Sequence, residues 1–139
     1  MRRSLKDKVA IVGMGCTRFG ERWEAGIEDL ILEATDEALN DAGVSLGDIQ
    51  AIWLGTFSGS QISEGFASCT GILAASVLQT QNIPVTRVEN ACASGQEALR
   101  GATLAIASGA YDLVLAIGVE KLKDAGAGGL GIGQPGRQE

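Results

Sequence analysis

The segment Val85 to Gly118, VTRVENACASGQEALRGATLAIASGAYDLVLAIG, decides the fold, because it reads as strand, helix and strand in succession. Val85 to Val88 is a short run following Pro84, which forbids continuation of any preceding helix. A helix is expected to begin near Ala91 or Cys92 and to run to Gly109. Its long polar side chains, Gln96, Glu97 and Arg100, keep to one narrow stripe and the rest is small or apolar, so burial on most sides is expected. Gly101 in the helix interior costs roughly 1 kcal/mol relative to alanine, which predicts a compensating close contact with another backbone layer. Tyr111 to Gly118 is the closing strand.

Working outward, the same alternation recurs upstream. Lys8-Val-Ala-Ile-Val-Gly13 is a near-continuous apolar run ending at glycine, the form of a strand buried on both faces of a parallel sheet. From Ile27, residues Leu30, Ile31, Ala34, Ala38, Leu39 and Ala42 recur at helical spacing, and Gly43 supplies the stop. Opposite them Glu28, Asp29, Glu33, Asp36, Glu37 and Asp41 form a stripe expected to be a solvated face. Ile49 to Gly55 reads as a strand, and Ser63 can cap a helix carrying Phe66, Cys69, Leu73, Ala74, Val77 and Leu78. The order βαβαβαβ calls for an α/β fold with a parallel or mostly parallel sheet and helices on its faces. Residues 1–124 are expected to form one half-domain. Residues 125–139 begin with AGAGGLGIGQPG, which has no apolar period and predicts a flexible loop.

Composition narrows the function. With 139 residues and 45% hydrophobic content, one domain with a real core is expected. A formal charge of −6 with dispersed bases argues against nucleic acid, and no apolar run is long enough for a membrane span. Three cysteines without a CxxC pair read as thiols in a reducing, cytoplasmic setting, with no metal site. There is no histidine, so a Ser-His-Asp triad or a histidine base cannot be completed within these residues. Gly13-Met-Gly15 lacks the third glycine of a dinucleotide fingerprint, since Arg18 stands there, and the tail has no phosphate-cradling GxxxxGK[ST].

Cys92 remains as the candidate nucleophile. It stands at a strand-to-helix junction, where unpaired backbone N–H groups and the positive end of the helix dipole favour an anion, and its neighbours Ala93, Ser94 and Gly95 let an acyl group approach. The same N–H groups could stabilise an oxyanion. Position alone leaves a buried core cysteine equally open. Cys69 is expected in the core and Cys16 in a structural loop.

At Val88-Glu-Asn-Ala-Cys92-Ala-Ser-Gly95 the chain resembles the thiolase superfamily, whose nucleophilic cysteine precedes small residues at the start of a buried central helix; here Asn90 lies two residues before Cys92. Gly15-Cys-Thr-Arg-Phe19 resembles the G-x-T-[RK]-F turn of the sterol-carrier-protein-type and archaeal-type members. Gly118-Val-Glu-Lys-Leu122 resembles their G-x-E-[KS]-M strand end, with Leu122 in place of methionine. The resemblance implies a layered fold of two similar halves, of which this chain is the first. It implies acyl transfer between 3-ketoacyl-CoA or acetyl-CoA and CoA through an acyl-Cys92 intermediate. Coenzyme A thioesters are then substrates, with no resident cofactor. It further implies that a histidine and a second cysteine come from the other half, so that this chain alone is inactive, and that a homodimer or tetramer forms through Val85 to Val88. The alternatives are a ketoacyl-synthase-III-like or HMG-CoA-synthase-like condensing enzyme, and a non-catalytic thiolase-like scaffold subunit.

Overall fold

A computed structural model describes residues 4–57 and 70–121. Three parallel strands form its sheet: β1 (Ile52–Gly55), β2 (Val85–Val88) and β3 (Leu115–Gly118). β1 is central, with Ile52 opposite both Val85 and Leu115 and Gly55 opposite both Val88 and Gly118. The helices are α1 (Ile27–Ala42), α2 (Thr70–Val77) and α3 (Ser94–Ser108), and a single 3₁₀ turn covers Leu46–Asp48.

Connectivity and strand chirality place the helices. The chain moves from β1 through α2 to one neighbour, then from β2 through α3 past β1 to the other. Parallel crossovers keep one hand, so opposite directions of travel put α2 and α3 on opposite faces. The pleat agrees. Trp53 meets Gly101 of α3, while Ile52 and Leu54, alternating with it, join Ile27 and Ile31 of α1, Ala74 of α2 and Leu78 just after α2. Ile31, Ile52 and Leu54 are completely buried, and each such side chain contributes roughly 1.5–3 kcal/mol.

The expected helix stops hold. Gly43 has φ of 67° and closes α1, with its N–H on the Asn40 carbonyl and that of Val44 on the Leu39 carbonyl. Gly109, at φ 79°, repeats this double bond at the end of α3.

Several expectations are corrected. Lys8 to Gly13 is not a strand among the described residues. It lies along α1, because Gly13 and Gly15 seat it there without side chains: a Cβ would fall 2.7 Å from the Ala42 nitrogen at Gly13 and 2.7 Å from the Ala38 nitrogen at Gly15. Ile11 and Val12 are consequently exposed, and a cleft of about 840 Å³ separates the segment from β3. β2 has the expected bounds, Val85–Val88, but β1 and β3 are shorter than the runs from Ile49 and Tyr111 that announce them, since pairing begins only at Ile52 and Leu115. α3 begins at Ser94, later than Ala91 or Cys92. It is also not buried on most sides: Ser94, Ala98 and Ala102 face the sheet, and Leu99 and Leu104 are exposed, because only the sheet covers it among the described residues. Gly101 does make a close contact, but with the Trp53 indole and not with another backbone.

The acidic face of α1 is more than a solvated surface. Asp29, Glu33, Glu37 and Asp41 recur every four residues and thus line one side of the helix. Asp29 accepts from the Gly26 N–H at 2.8 Å, Glu33 from Arg22 at 2.7 Å, Glu37 from the Cys16 N–H at 2.9 Å and Asp41 from the Met14 N–H at 2.9 Å. This rail of carboxylates fixes the chain from Met14 to Gly26. Ser63, Phe66, Cys69, Leu122 and the glycine-rich stretch 125–136 lie outside the described residues.

Candidate functional site

All three strands point their carboxyl ends the same way, and the chains leaving β1 and β2 depart toward opposite faces of the sheet. In open parallel sheets that divergence leaves a crevice beyond the strand ends. The segment after β2 enters it.

Between β2 and α3 the backbone makes a tight elbow. Ala91 sits at φ 46°, in the left-handed region that non-glycine residues rarely occupy. Five hydrogen bonds hold it there. The Ala93 N–H donates to the Asn90 carbonyl at 2.9 Å, and the Ser94 N–H to the Ala91 carbonyl at 3.2 Å. The Ser94 hydroxyl donates to the Ala91 carbonyl at 2.7 Å and accepts from the Asn90 N–H at 2.9 Å. The Ala91 N–H is turned onto the Glu89 carboxylate. Ser94 is buried, while its partners Asn90 and Ala91 are exposed.

Cys92 stands at the apex of the elbow and is exposed with a free thiol, so it is not a core cysteine. No side chain caps α3, whose N-cap is Ala93. An uncapped first turn thus follows Cys92 directly in the chain, an arrangement suited to a developing negative charge. The space beside Gly95 is open, with no atom within 4 Å of where a Cβ would stand. On the other side, the elbow rests on the sheet backbone to backbone. A Cβ on Gly55 would run into the Ser94 carbonyl and lie 2.9 Å from the Gly95 nitrogen, and one on Gly118 would lie 3.7 Å from the Gly95 Cα.

Cys92 opens into a cleft of about 860 Å³. Its opposite wall is the loop Gly15 to Trp23, the stretch held by the carboxylate rail, and its rim includes Phe57 and Glu120. Arg22 in this wall is engaged by Glu33 and by Glu24, at 3.3 Å, and these hydrogen bonds, that to Glu33 first, raise its guanidinium further above its ordinary value. Sequence reasoning placed Cys92 here but missed three contributors. Cys16, expected in a structural loop, is exposed and lines the same cleft. Phe57 and Glu120 are brought together from positions far apart in the chain. The four-residue spacing of the α1 carboxylates was the available signal that the Cys16 loop would be held in place. Cys69 lies outside the described residues. Among the described residues no group of three or more His, Cys, Asp or Glu side chains could hold a metal ion, and no helix is long and apolar enough to cross a membrane.

The family profile described as "Thiolase, N-terminal domain" matches residues 9–128. The chain is 44% identical over 122 residues to an acetyl-CoA acetyltransferase of Methanothermobacter thermautotrophicus, covering 84% of this chain and 30% of that protein. It is 47% identical over 118 residues to an acetyl-CoA acetyltransferase of Methanocaldococcus jannaschii, covering 84% and 29%. Sterol carrier protein 2 of Gallus gallus is 31% identical, with coverage of 85% and 21%. Among solved structures, 3-oxoacyl-[acyl-carrier-protein] synthase III from Aquifex aeolicus superposes with a TM-score of 0.52 at 24% identity, over 62% of this chain and 27% of that one, a likeness of fold. The chain spans less than a third of the length of these relatives.

Proposed function

This chain belongs to the thiolase family through its N-terminal domain, and from that premise we propose that it carries the nucleophilic part of an acetyl-CoA acyltransferase site, with Cys92 as the nucleophile. The observation that carries this reading is the Cys92 elbow: an exposed thiol held by a left-handed turn at the carboxyl end of a parallel sheet, before an uncapped helix, in a cleft.

The Cys92 sulfur, as thiolate, attacks the thioester carbonyl of acetyl-CoA or a 3-ketoacyl-CoA. The new C–S bond converts the carbonyl into an oxyanion, which the backbone N–H groups beside Cys92 receive. Collapse expels CoA thiolate, or the acetyl-CoA carbanion from a 3-ketoacyl substrate, and leaves acyl-Cys92. The carbanion takes up a proton, and in the reverse direction a base removes it. The 139 residues contain no histidine, so a histidine base for Cys92 would have to come from sequence beyond them. Residues 1–124 form the half-domain that contributes the elbow. β2 is an edge strand of the described sheet, and its free edge, Val85 to Val88, joins a second copy in a homodimer. Cytoplasmic residence fits the free thiols Cys16 and Cys92.

Thiol labelling tests the nucleophile. Iodoacetamide should modify Cys92 faster than Cys16 or Cys69, and incubation with acetyl-CoA should leave one acetyl group on Cys92 by peptide mass spectrometry. Turnover of acetoacetyl-CoA by the 139 residues should be negligible. Equal labelling of the three thiols would refute the role of Cys92, and robust turnover would refute the need for an outside base.

A further inference from the structure

Beyond the elbow, the ends of the three strands are tied to one another by a set of polar contacts centred on Thr56, the first residue after β1. Thr56 is completely buried. Its N–H donates to the Val88 carbonyl of β2 at 3.3 Å, and its carbonyl accepts from the Arg87 guanidinium, also of β2, at 3.3 Å. Its hydroxyl donates to Glu120 Oε1 at 3.2 Å, and the next residue, Phe57, donates its backbone N–H to that same oxygen. Glu120 belongs to the chain leaving β3, where the Val119 N–H has just extended the ladder to the Gly55 carbonyl at 3.1 Å. A carboxylate only accepts, and one oxygen taking two donors makes a charge-assisted bridge. Arg87 approaches the Thr56 peptide from the other strand, so that peptide is held between a cation and an anion.

Packing alone does not require this arrangement. The hydrophobic core ends at Ile117 and Val119, and Glu120 is an exposed residue beyond it. What the bridge controls is the direction in which the chain leaves β1. Phe57 and Glu120 both line the cleft into which Cys92 opens, and Phe57 is the residue whose backbone the bridge fixes.

We propose that Glu120 is a positioning residue for acyl transfer: by holding the Thr56–Phe57 backbone it sets the wall of the Cys92 cleft against which the acyl thioester is oriented. This rests on the acyl-transfer reading given above. Glu120 acts through Phe57 and not on the thiol, so its loss changes how a thioester is presented and leaves the intrinsic reactivity of Cys92 alone. Misplacement of reacting groups by about 1 Å costs up to about 100-fold, and a wall residue one step removed is expected to cost about tenfold.

The test compares Glu120→Ala and Glu120→Gln with the unaltered chain. At about pH 9, where ordinary thiols are largely ionised, acetylation of Cys92 is followed as a function of acetyl-CoA concentration, alkylation by iodoacetamide is followed in parallel, and hydrogen exchange is read at the Phe57 amide. In Glu120→Ala the acetylation rate constant divided by half-saturation should fall about tenfold, with alkylation unchanged within about twofold. The Phe57 amide should exchange at least about tenfold faster, as expected for loss of a hydrogen bond. Glu120→Gln keeps a carbonyl acceptor in place and should restore most of both. Unchanged acetylation in Glu120→Ala overturns the proposal, as does a parallel fall of acetylation and alkylation, which would mean that the elbow itself has been disturbed. Absence of acetylation in the unaltered chain sinks the acyl-transfer reading and this role with it, and exchange at Phe57 then shows whether the bridge is only structural.

Discussion

Replacement of Gly101 by alanine sets two effects of known sign against each other. In a helix interior alanine is favoured over glycine by about 0.8–1 kcal/mol, so Gly101→Ala in a solvent-facing turn would stabilise the fold. Gly101, however, faces β1: a Cβ there would stand 2.6 Å from both Cδ1 and Nε1 of Trp53. Contacts of that length require something to move, and overpacking of this kind costs about 1–3 kcal/mol. The indole is not free to swing away without loss, because it meets Tyr111 edge-on with ring centroids 6.1 Å apart and planes at 75°. The clash should win, leaving Gly101→Ala destabilised by up to about 2 kcal/mol. At a urea dependence of about 2 kcal/mol/M, the unfolding midpoint falls by up to roughly 1 M. The decisive measurement is the same substitution in a Trp53→Val background. With the ring gone, only the helix preference remains, and Gly101→Ala should now stabilise by up to about 1 kcal/mol. The sign should reverse between backgrounds. A stabilising effect in the presence of Trp53, or the same destabilisation without it, would refute the reasoning.

Two other outcomes follow from the rest of the fold. In Gly15→Ala the added methyl meets the α1 backbone at Ala34 and Ala38, which cannot yield as a side chain would, so a loss of about 2 kcal/mol or more is expected in urea unfolding, together with faster exchange at the Cys16 amide. Asp48 caps the 3₁₀ turn by accepting from the Ser45 hydroxyl at 2.7 Å and the Ser45 N–H at 2.8 Å, and these bonds, the hydroxyl first, lower its carboxyl below the ordinary value of 3.8. Because the folded value is depressed, the stabilisation is present above pH 3.8 and is lost as pH falls through the lower folded value. NMR titration should find Asp48 below 3.8 in the native chain and nearer to 3.8 in Ser45→Gly.

The sequence was most legible where one kind of signal acted alone. Gly43 and Gly109 stop helices because only a left-handed residue closes that hydrogen-bond pair, and both positions could be read directly. The crossover from Val85 to Gly118 was equally clear, since apolar strands flanking a small-residue helix admit few other arrangements. Cys92 could be placed at a strand-to-helix junction, but the elbow that exposes it depends on Ser94 reaching back to Asn90 and Ala91, a tertiary lock that has no pattern in the sequence. Lys8 to Gly13 misled for the converse reason. Its composition suits a buried strand, yet Gly13 and Gly15 fit the α1 backbone and the N–H groups of Met14 and Cys16 find carboxylates on that helix. Periodicity reports which face a segment hides and not which neighbour covers it. Glu120 was legible only as part of a motif, and its partners lie 63 and 64 residues away.

The meeting of Gly55 and Gly118 with the start of α3 has a consequence for how this site can change over time. At Gly55 no side chain lies between the sheet and the turn that presents Cys92, so no rotamer is available there to absorb a substitution. Variation in the core either leaves the thiol where it is or displaces it through the backbone itself. Adjusting the thiol's position by small steps at that contact is therefore closed to selection, and substrate preference is left to drift in the surrounding walls, at Phe57 and in the loop from Gly15 to Trp23, where side chains can be exchanged without moving the nucleophile.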